Sequence, residues 1–391
     1  MLRLRAPLEI FLWSRAAIWI TTLLAYSVFE AQFAQPLHAP TAAPPSPAGD
    51  GWAIDLWARW DGGWFTQVAQ SGYGDPKTTT AFFPAYPLIV RAAGWLLGGH
   101  DVVAGVLVSL AACAVAFVLL YALARELVGE EAARRSVVYL AIFPAALFLG
   151  AVYGESLYLL LTVAAFLCAT RGRWSYAGTC VGLAILTRPT GVMLLPALAV
   201  LAWHAVRRRR AFAGLGLALP IAAAWPLWLW AVFGHPFEFL TAERNEWHRR
   251  LSPAGPFGGI WKGVDAGWQG LLQFVAGGNR FPGTSDSLQA AGLNLEALAA
   301  AVFVIVLGVV AWRRLGAAYG VFALASVALP LASPAANFPL LSMPRFALGI
   351  FPVFIALGAI ARPRTNTIVI AVFAIWLGVD LARWVEWQFV A

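Results

Sequence analysis

Charge is what this 391-residue sequence has least of. Only 12% of its residues are Asp, Glu, Lys or Arg, against about 25% in a soluble domain. That shortfall, spread over the whole chain, excludes a water-soluble globular protein and a disordered one. Lysine is almost missing: Lys77 and Lys262 stand alone among 27 basic residues. The bias toward arginine, with many Ala and Gly, points to a GC-rich bacterial genome. Cysteine is scarce too. Cys113, Cys168 and Cys180 lie inside apolar runs, without metal-ligand spacing, so they read as small core residues and exclude a disulfide framework.

What is abundant is apolar sequence, 61% of the chain. Runs of about 20 apolar residues span a bilayer core of roughly 30 Å. The net charge of +8 sits in short clusters between such runs. That pattern encodes membrane topology rather than nucleic-acid binding. Arg3, Arg5 and Arg15 precede or enter the first run, and no small-residue cleavage site follows, so an uncleaved first span is expected.

The expected fold is an all-α polytopic bundle of about 11 transmembrane helices, forming a single domain over 1–391. Spans are read near 12–30, 101–124, 137–152, 155–170, 175–187, 190–206, 211–233, 292–312, 317–333, 346–361 and 366–388. The short pair 175–187 and 190–206 is interrupted by Thr187-Arg188-Pro189-Thr190-Gly191. Broken helices in membranes line cavities, because unpaired backbone cannot face lipid. Under this count Arg125, Arg134, Arg135, Arg171, Arg173, Arg207 to Arg210, Arg313, Arg314, Arg362 and Arg364 share one side with Arg3 and Arg5. The positive-inside rule makes that side cytoplasmic.

Two long segments, 31–100 and 234–291, then lie outside. The first opens with a Pro/Ala-rich linker, Pro36 to Pro47, and both are rich in Trp and Phe. Interfacial helices resting on the membrane surface are expected in each. In the first, Ile54, Trp57, Asp61, Trp64 and Val68 follow helical spacing and would share one face. A carboxylate on an apolar face is costly unless paired or used. Asp61 could therefore cap the helix, pair with Arg59 or Arg91, or act as a general base. Downstream, Phe82-Phe83-Pro84-Ala85-Tyr86-Pro87 reads as scaffold, with Tyr86 able to line a substrate groove.

The stretch WDGGWFTQVAQSGY followed by AFFPAYPLIVR resembles the PIG-V family, the GPI mannosyltransferase II family of GT-C glycosyltransferases, and its bacterial relatives. The resemblance rests on Trp60-Asp61, Ser71-Gly72-Tyr73, Phe82-Phe83-Pro84, Pro87 and Arg91. Phe143-Pro144-Ala145, Tyr153-Gly154-Glu155-Ser156-Leu157, Arg188 to Gly191, Pro344-Arg345-Phe346 and Phe351-Pro352 follow in order. Gly154 stands where the family more often has Ser. The resemblance implies an inverting transferase working on the non-cytoplasmic face. It implies a polyprenyl-phosphate sugar donor, typically mannose, with Asp61 as base.

Such chemistry needs a cation for the leaving phosphate. Arg188 and Arg345 are the first candidates, and Arg91 the third. Glu155 could orient the acceptor or pair with one of these arginines. In the charge run from Glu243 to Arg250, Trp247 offers a stacking platform for a sugar or headgroup. His248 has no partner at metal spacing. Arginines can handle a lipid monophosphate, so no cofactor and no required metal are expected. The expected partners are the lipid-linked donor, a glycolipid or glycan acceptor, and membrane lipids, without nucleic acid. The membrane would be the bacterial inner membrane, or the endoplasmic reticulum in a eukaryote. Three other readings stay open: a flippase for a lipid-linked sugar, a GT-C enzyme for another sugar, and a catalytically silent relative.

Overall fold

A computed structural model describes residues 2–29, 49–74, 77–284, 286–336 and 338–390. The expected linker Pro36 to Pro47 lies outside the described residues. Among the described residues every regular element is helical. In chain order these are α1 (Leu2–Phe29), α2 (Trp52–Asp55), α3 (Asp61–Ser71), α4 (Ala85–Leu96), α5 (Asp101–Val128) and α6 (Glu130–Ala141). Then come α7 (Glu155–Thr170), α8 (Trp174–Thr187), α9 (Leu194–Trp203), α10 (Arg208–Gly216), α11 (Ala218–Phe233) and α12 (Glu238–Glu246). The chain closes with α13 (Pro256–Ala276), α14 (Ser287–Leu315), α15 (Ala317–Ala332), α16 (Met343–Leu348), α17 (Pro352–Ile360) and α18 (Pro363–Val385).

Among the described residues, five stretches are long and apolar enough to cross a bilayer: Arg5–Phe29, Asp101–Val128, Arg208–Phe233, Ser287–Leu315 and Pro363–Val385. They make the chain an integral membrane protein. Apolar helices of 10–17 residues, including α7, α8 and α15, pack among them. A 16-residue helix is about 24 Å long, too short to cross squarely, and α7 and α15 therefore bury most of their surface against neighbours.

Two expected spans take another form. Over 137–152 the chain is the end of α6, then a 3-10 turn at Pro144–Leu149 whose side chains are all buried. Over 346–361 it is α16 and α17, parted at Gly349 to Phe351. In both, the proline that follows denies its N–H to a continuing ladder. These short segments are mostly buried and pack as core, with Ile360 exposed at the end of α17.

The expected break between 187 and 190 is present. α8 ends at Thr187, Arg188 is extended (φ −153°, ψ 141°), and Pro189–Met193 forms a 3-10 turn before α9. Gly191 lets this turn fold back on α8: a Cβ there would stand 2.6 Å from the Ala184 backbone carbon.

The single helix expected over 54–70 is not formed. α2 gives way to a 3-10 turn at Leu56–Ala58, Arg59 is extended, and Trp60 takes φ 55° and ψ −125° before α3 begins at Asp61. Trp57 and Asp61 therefore do not share a face. Trp57 is fully buried and stacks on Trp19 at 4.6 Å. The break has strong anchors. Arg59 donates to the carbonyls of Trp384 and Val385 at 2.5 and 2.6 Å and lies 4.5 Å over the Trp387 ring. The Trp60 ring sits against Phe389 and Trp387.

The second long segment, 234–291, holds α12 and α13. α13 turns Gly259 onto α15 and Gly267 and Gly270 onto α14, while Gly263 meets Leu340. Its opposite side exposes Phe257, Trp261, Val264, Trp268 and Phe274.

Candidate active site

Four residues far apart in sequence meet between the starts of α3 and α7, the α8–α9 break and α16. Arg345 donates from Nη1 to Asp61 Oδ2 at 2.6 Å and from Nε to Glu155 Oε1 at 2.9 Å. Arg188 donates from Nη1 to the same Glu155 oxygen at 3.0 Å. The local backbone explains the meeting. Asp61 and Glu155 each open a helix, α3 and α7, where orphan N–H groups and the helix dipole favour a carboxylate. Arg345 is carried on the short α16, which Ser342 enters in a left-handed conformation (φ 63°). Arg188 is released from α8 by the break before Pro189.

Aromatic rings form the walls. Arg345 lies 5.0 Å from the Tyr153 ring and 5.3 Å from the Phe148 ring. Arg188 lies 4.9 Å from the Phe346 ring. Tyr153 in turn donates its hydroxyl to the Arg59 carbonyl at 2.9 Å, tying the wall to the strained turn before Asp61.

The two carboxylates differ in exposure. The Glu155 side chain is 2% exposed and serves two arginines, whereas Asp61 is 23% exposed. Asp61 can reach an incoming hydroxyl; Glu155 is an internal anchor. Burial works against the charge on Arg345, but Glu155 and Asp61 outweigh it and hold the guanidinium pKa above its ordinary value.

The segment 234–291 adds two residues not singled out from sequence, Glu243 and Arg249. Arg249 Nη2 donates to the Leu341 carbonyl at 2.7 Å and Nη1 to the Ser333 carbonyl at 3.4 Å. It also lies 5.6 Å from the Phe346 ring that Arg188 faces. Its Nε stands 3.5 Å from Glu243 Oε2. Burial lowers the Arg249 pKa and raises that of Glu243, which Asp61 raises further and Arg249 opposes. The only sequence signal for this pair is the charge run itself. The turn that presents Arg249, with His248 at φ 51°, has no glycine to mark it.

The remaining sequence candidates lie elsewhere. Tyr86 is fully buried, and its hydroxyl is 3.0 Å from the Gly105 carbonyl and 2.8 Å from Ser109 Oγ. It holds α4 against α5 rather than lining an open groove. Arg91 is on an exposed face of α4. Trp247 is half-buried, edge-on to Phe82 at 5.8 Å. Trp60 precedes Asp61 and is 8% exposed, so its ring is part of the packing.

The helical architecture is shared with a solved membrane-protein structure. The chain is similar to ArnT from Cupriavidus metallidurans bound to undecaprenyl phosphate. Identity is 15%, coverage 93% of this chain and 62% of that one, and the TM-score 0.53. Against the apo state of the same protein the values are 14%, 92%, 61% and 0.50. The chain thus spans about three fifths of the length of ArnT. In sequence, residues 83–230 match the dolichyl-phosphate-mannose-protein mannosyltransferase family. No curated protein matches the chain.

Proposed function

We propose that the chain is an inverting glycosyltransferase. It would move a sugar, mannose, from a polyprenyl-phosphate carrier to a hydroxyl of a glycolipid or glycan on the non-cytoplasmic face. The observation that carries this reading is the Asp61–Arg345–Glu155–Arg188 cluster: one reachable carboxylate held beside two arginines. The fold shared with ArnT, a protein solved with undecaprenyl phosphate, supports the class of donor. The family match over 83–230 supports mannose. The motifs around Trp60-Asp61 and Pro344-Arg345-Phe346 favour the PIG-V branch.

The residues divide the work. Arg188 and Arg345 take the phosphate through charge-assisted hydrogen bonds that strengthen as it leaves with its electron pair. Arg345 now neutralises Asp61. When phosphate draws that guanidinium away, Asp61 is free to accept the proton of the acceptor hydroxyl as the hydroxyl attacks the anomeric carbon. Glu155 keeps both arginines in place. The arginines supply the positive charge the leaving group needs, so the reading requires no divalent metal. Trp247 and the aromatic walls offer apolar faces to a sugar.

The test is transfer of radiolabelled sugar from synthetic polyprenyl-phosphate-mannose in membranes carrying wild type or Asp61→Asn. Transfer by wild type, lost in a folded Asn variant, is expected. Equal transfer by both would remove Asp61 from the mechanism. Intact passage of the donor across the membrane, without release of polyprenyl phosphate, would mark a flippase.

A further inference from the structure

Among the described residues, the charged side chains paired at the site come in equal numbers. Arg188, Arg249 and Arg345 stand against Asp61, Glu155 and Glu243. A phosphodiester donor brings one further negative charge into a region walled by aromatic rings. An unbalanced charge there is costly, and protonation of a carboxylate is the ordinary relief.

The three carboxylates are unequally satisfied. Glu155 Oε1 accepts from two arginines and Asp61 Oδ2 from one at 2.6 Å. Glu243 Oε2 is 3.5 Å from its arginine and forms no hydrogen bond; that oxygen is buried, although the side chain as a whole is 35% exposed. The charged groups that face it are Arg249 on its own segment, Asp61 on α3, Arg345 on α16 and Arg188 at the helix break. Lys77, beside α12, is engaged with Glu238 at 3.4 Å instead. A phosphate that occupies the arginines leaves Glu243 with the weakest compensation and with Asp61 still repelling it.

We propose that Glu243 takes up one proton from solvent as the anionic donor binds and, as a neutral carboxyl, donates a hydrogen bond to the donor's phosphate. The step breaks no covalent bond of the donor, and the proton returns to solvent when the lipid leaves. Burial raises the Glu243 pKa, opposed by Arg249, and Asp61 raises it further. The inference rests on the donor class proposed above.

The probe is the methyl phosphodiester of undecaprenol, which has no ionisation of its own near neutral pH. Its binding to the full-length protein is measured calorimetrically in buffers of different ionisation heat, and again as a function of pH. Wild type is expected to take up as much as one proton per lipid, with affinity falling by up to about tenfold per pH unit on the alkaline side. Glu243→Gln, which keeps the shape and the donor group, is expected to bind with near-zero uptake and a flat pH profile. Binding by wild type without proton uptake would overturn the proposal, and this needs no variant. Equal uptake by the Gln variant would overturn it as well. Failure of the lipid to bind at all would instead overturn the donor class, and the proposal with it.

Discussion

Asp61 and Arg345 are 284 residues apart in sequence and 2.6 Å apart in space, joined by a hydrogen bond from Nη1 to Oδ2. The same guanidinium holds Glu155 through Nε. One planar group thus fixes the separation of two carboxylates, a task a lysine ammonium on its flexible stem does not perform. Arg345→Lys is expected to lower kcat/KM for sugar transfer by about a hundredfold or more while the protein remains folded. Arg345→Met should also unfold more readily, by about 3–5 kcal/mol, because it strands the buried Glu155 charge beside Arg188 alone. Thermal melting of the two purified variants in detergent, set beside their transfer rates, checks both statements.

Glu155 competes with any phosphate for its two arginines. Removing its charge with Glu155→Gln should therefore tighten binding of undecaprenyl phosphate, by about fivefold or ~1 kcal/mol. The same change should lower the melting temperature, since two buried guanidinium groups lose their shared acceptor. Titration of the lipid against both proteins, followed by tryptophan fluorescence, measures the first effect. Weaker binding by the Gln variant would contradict the competition.

Arg249 pins the second outer segment to the carbonyls of Ser333 and Leu341, just before the left-handed Ser342 that launches α16. Arg249→Met should loosen that approach to Arg345. The expected result is a KM for donor raised about tenfold with a smaller change in kcat. Steady-state kinetics at several donor concentrations separate the two parameters.

Close packing around the site predicts an order of tolerance. A Cβ at Gly349 would stand 2.5 Å from Tyr158 Cε1, and one at Gly62 would stand 3.3 Å from Tyr153 Cε2. Gly349→Ala must displace the Tyr158 ring that flanks Arg188, and should cost about 1–3 kcal/mol. Gly62→Ala needs a shift of only a few tenths of an ångström and should melt closer to wild type. Comparing the two melting curves tests the order.

Arginines supply the positive charge in the proposed reaction, so transfer should persist in EDTA at an undiminished rate. A rate restored only by added Mg²⁺ or Mn²⁺ would require a metal in the mechanism. The assay is the radiolabelled transfer already described, with and without chelator.

The helical architecture was legible because the lack of charge and the long apolar runs leave few alternatives. The break at Arg188 was legible for a local reason, since proline and glycine punctuate a helix wherever they occur. Asp61, Glu155, Arg188 and Arg345 stood out as charges among apolar neighbours, and the structure brings all four together. The break at Trp60 carried no such mark. Its positive φ falls on a tryptophan, and it is held by Arg59 bonding to the carbonyls of Trp384 and Val385 at the far end of the chain. Helical spacing over 54–70 could not register a tertiary contact of that range. Glu243 and Arg249 were hidden for the opposite reason, as two charges within a run of charges. The fold of the segment 234–291 brings these two within electrostatic range of Asp61.

The sharing of Glu155 between two arginines also bears on how the chain is built. Arg188 follows Glu155 by 33 residues, whereas Arg345 follows it by 190. Synthesis runs from the N-terminus, so α7 and α8 can leave the translocon as a hairpin with Glu155 and Arg188 already paired. Each charge then has a partner while the hairpin settles into hydrocarbon. Arg345 arrives last and draws Asp61 into the group. The four-residue cluster is thereby assembled only once the late helices are in place, and a chain truncated before α16 would hold the Glu155–Arg188 pair without Arg345.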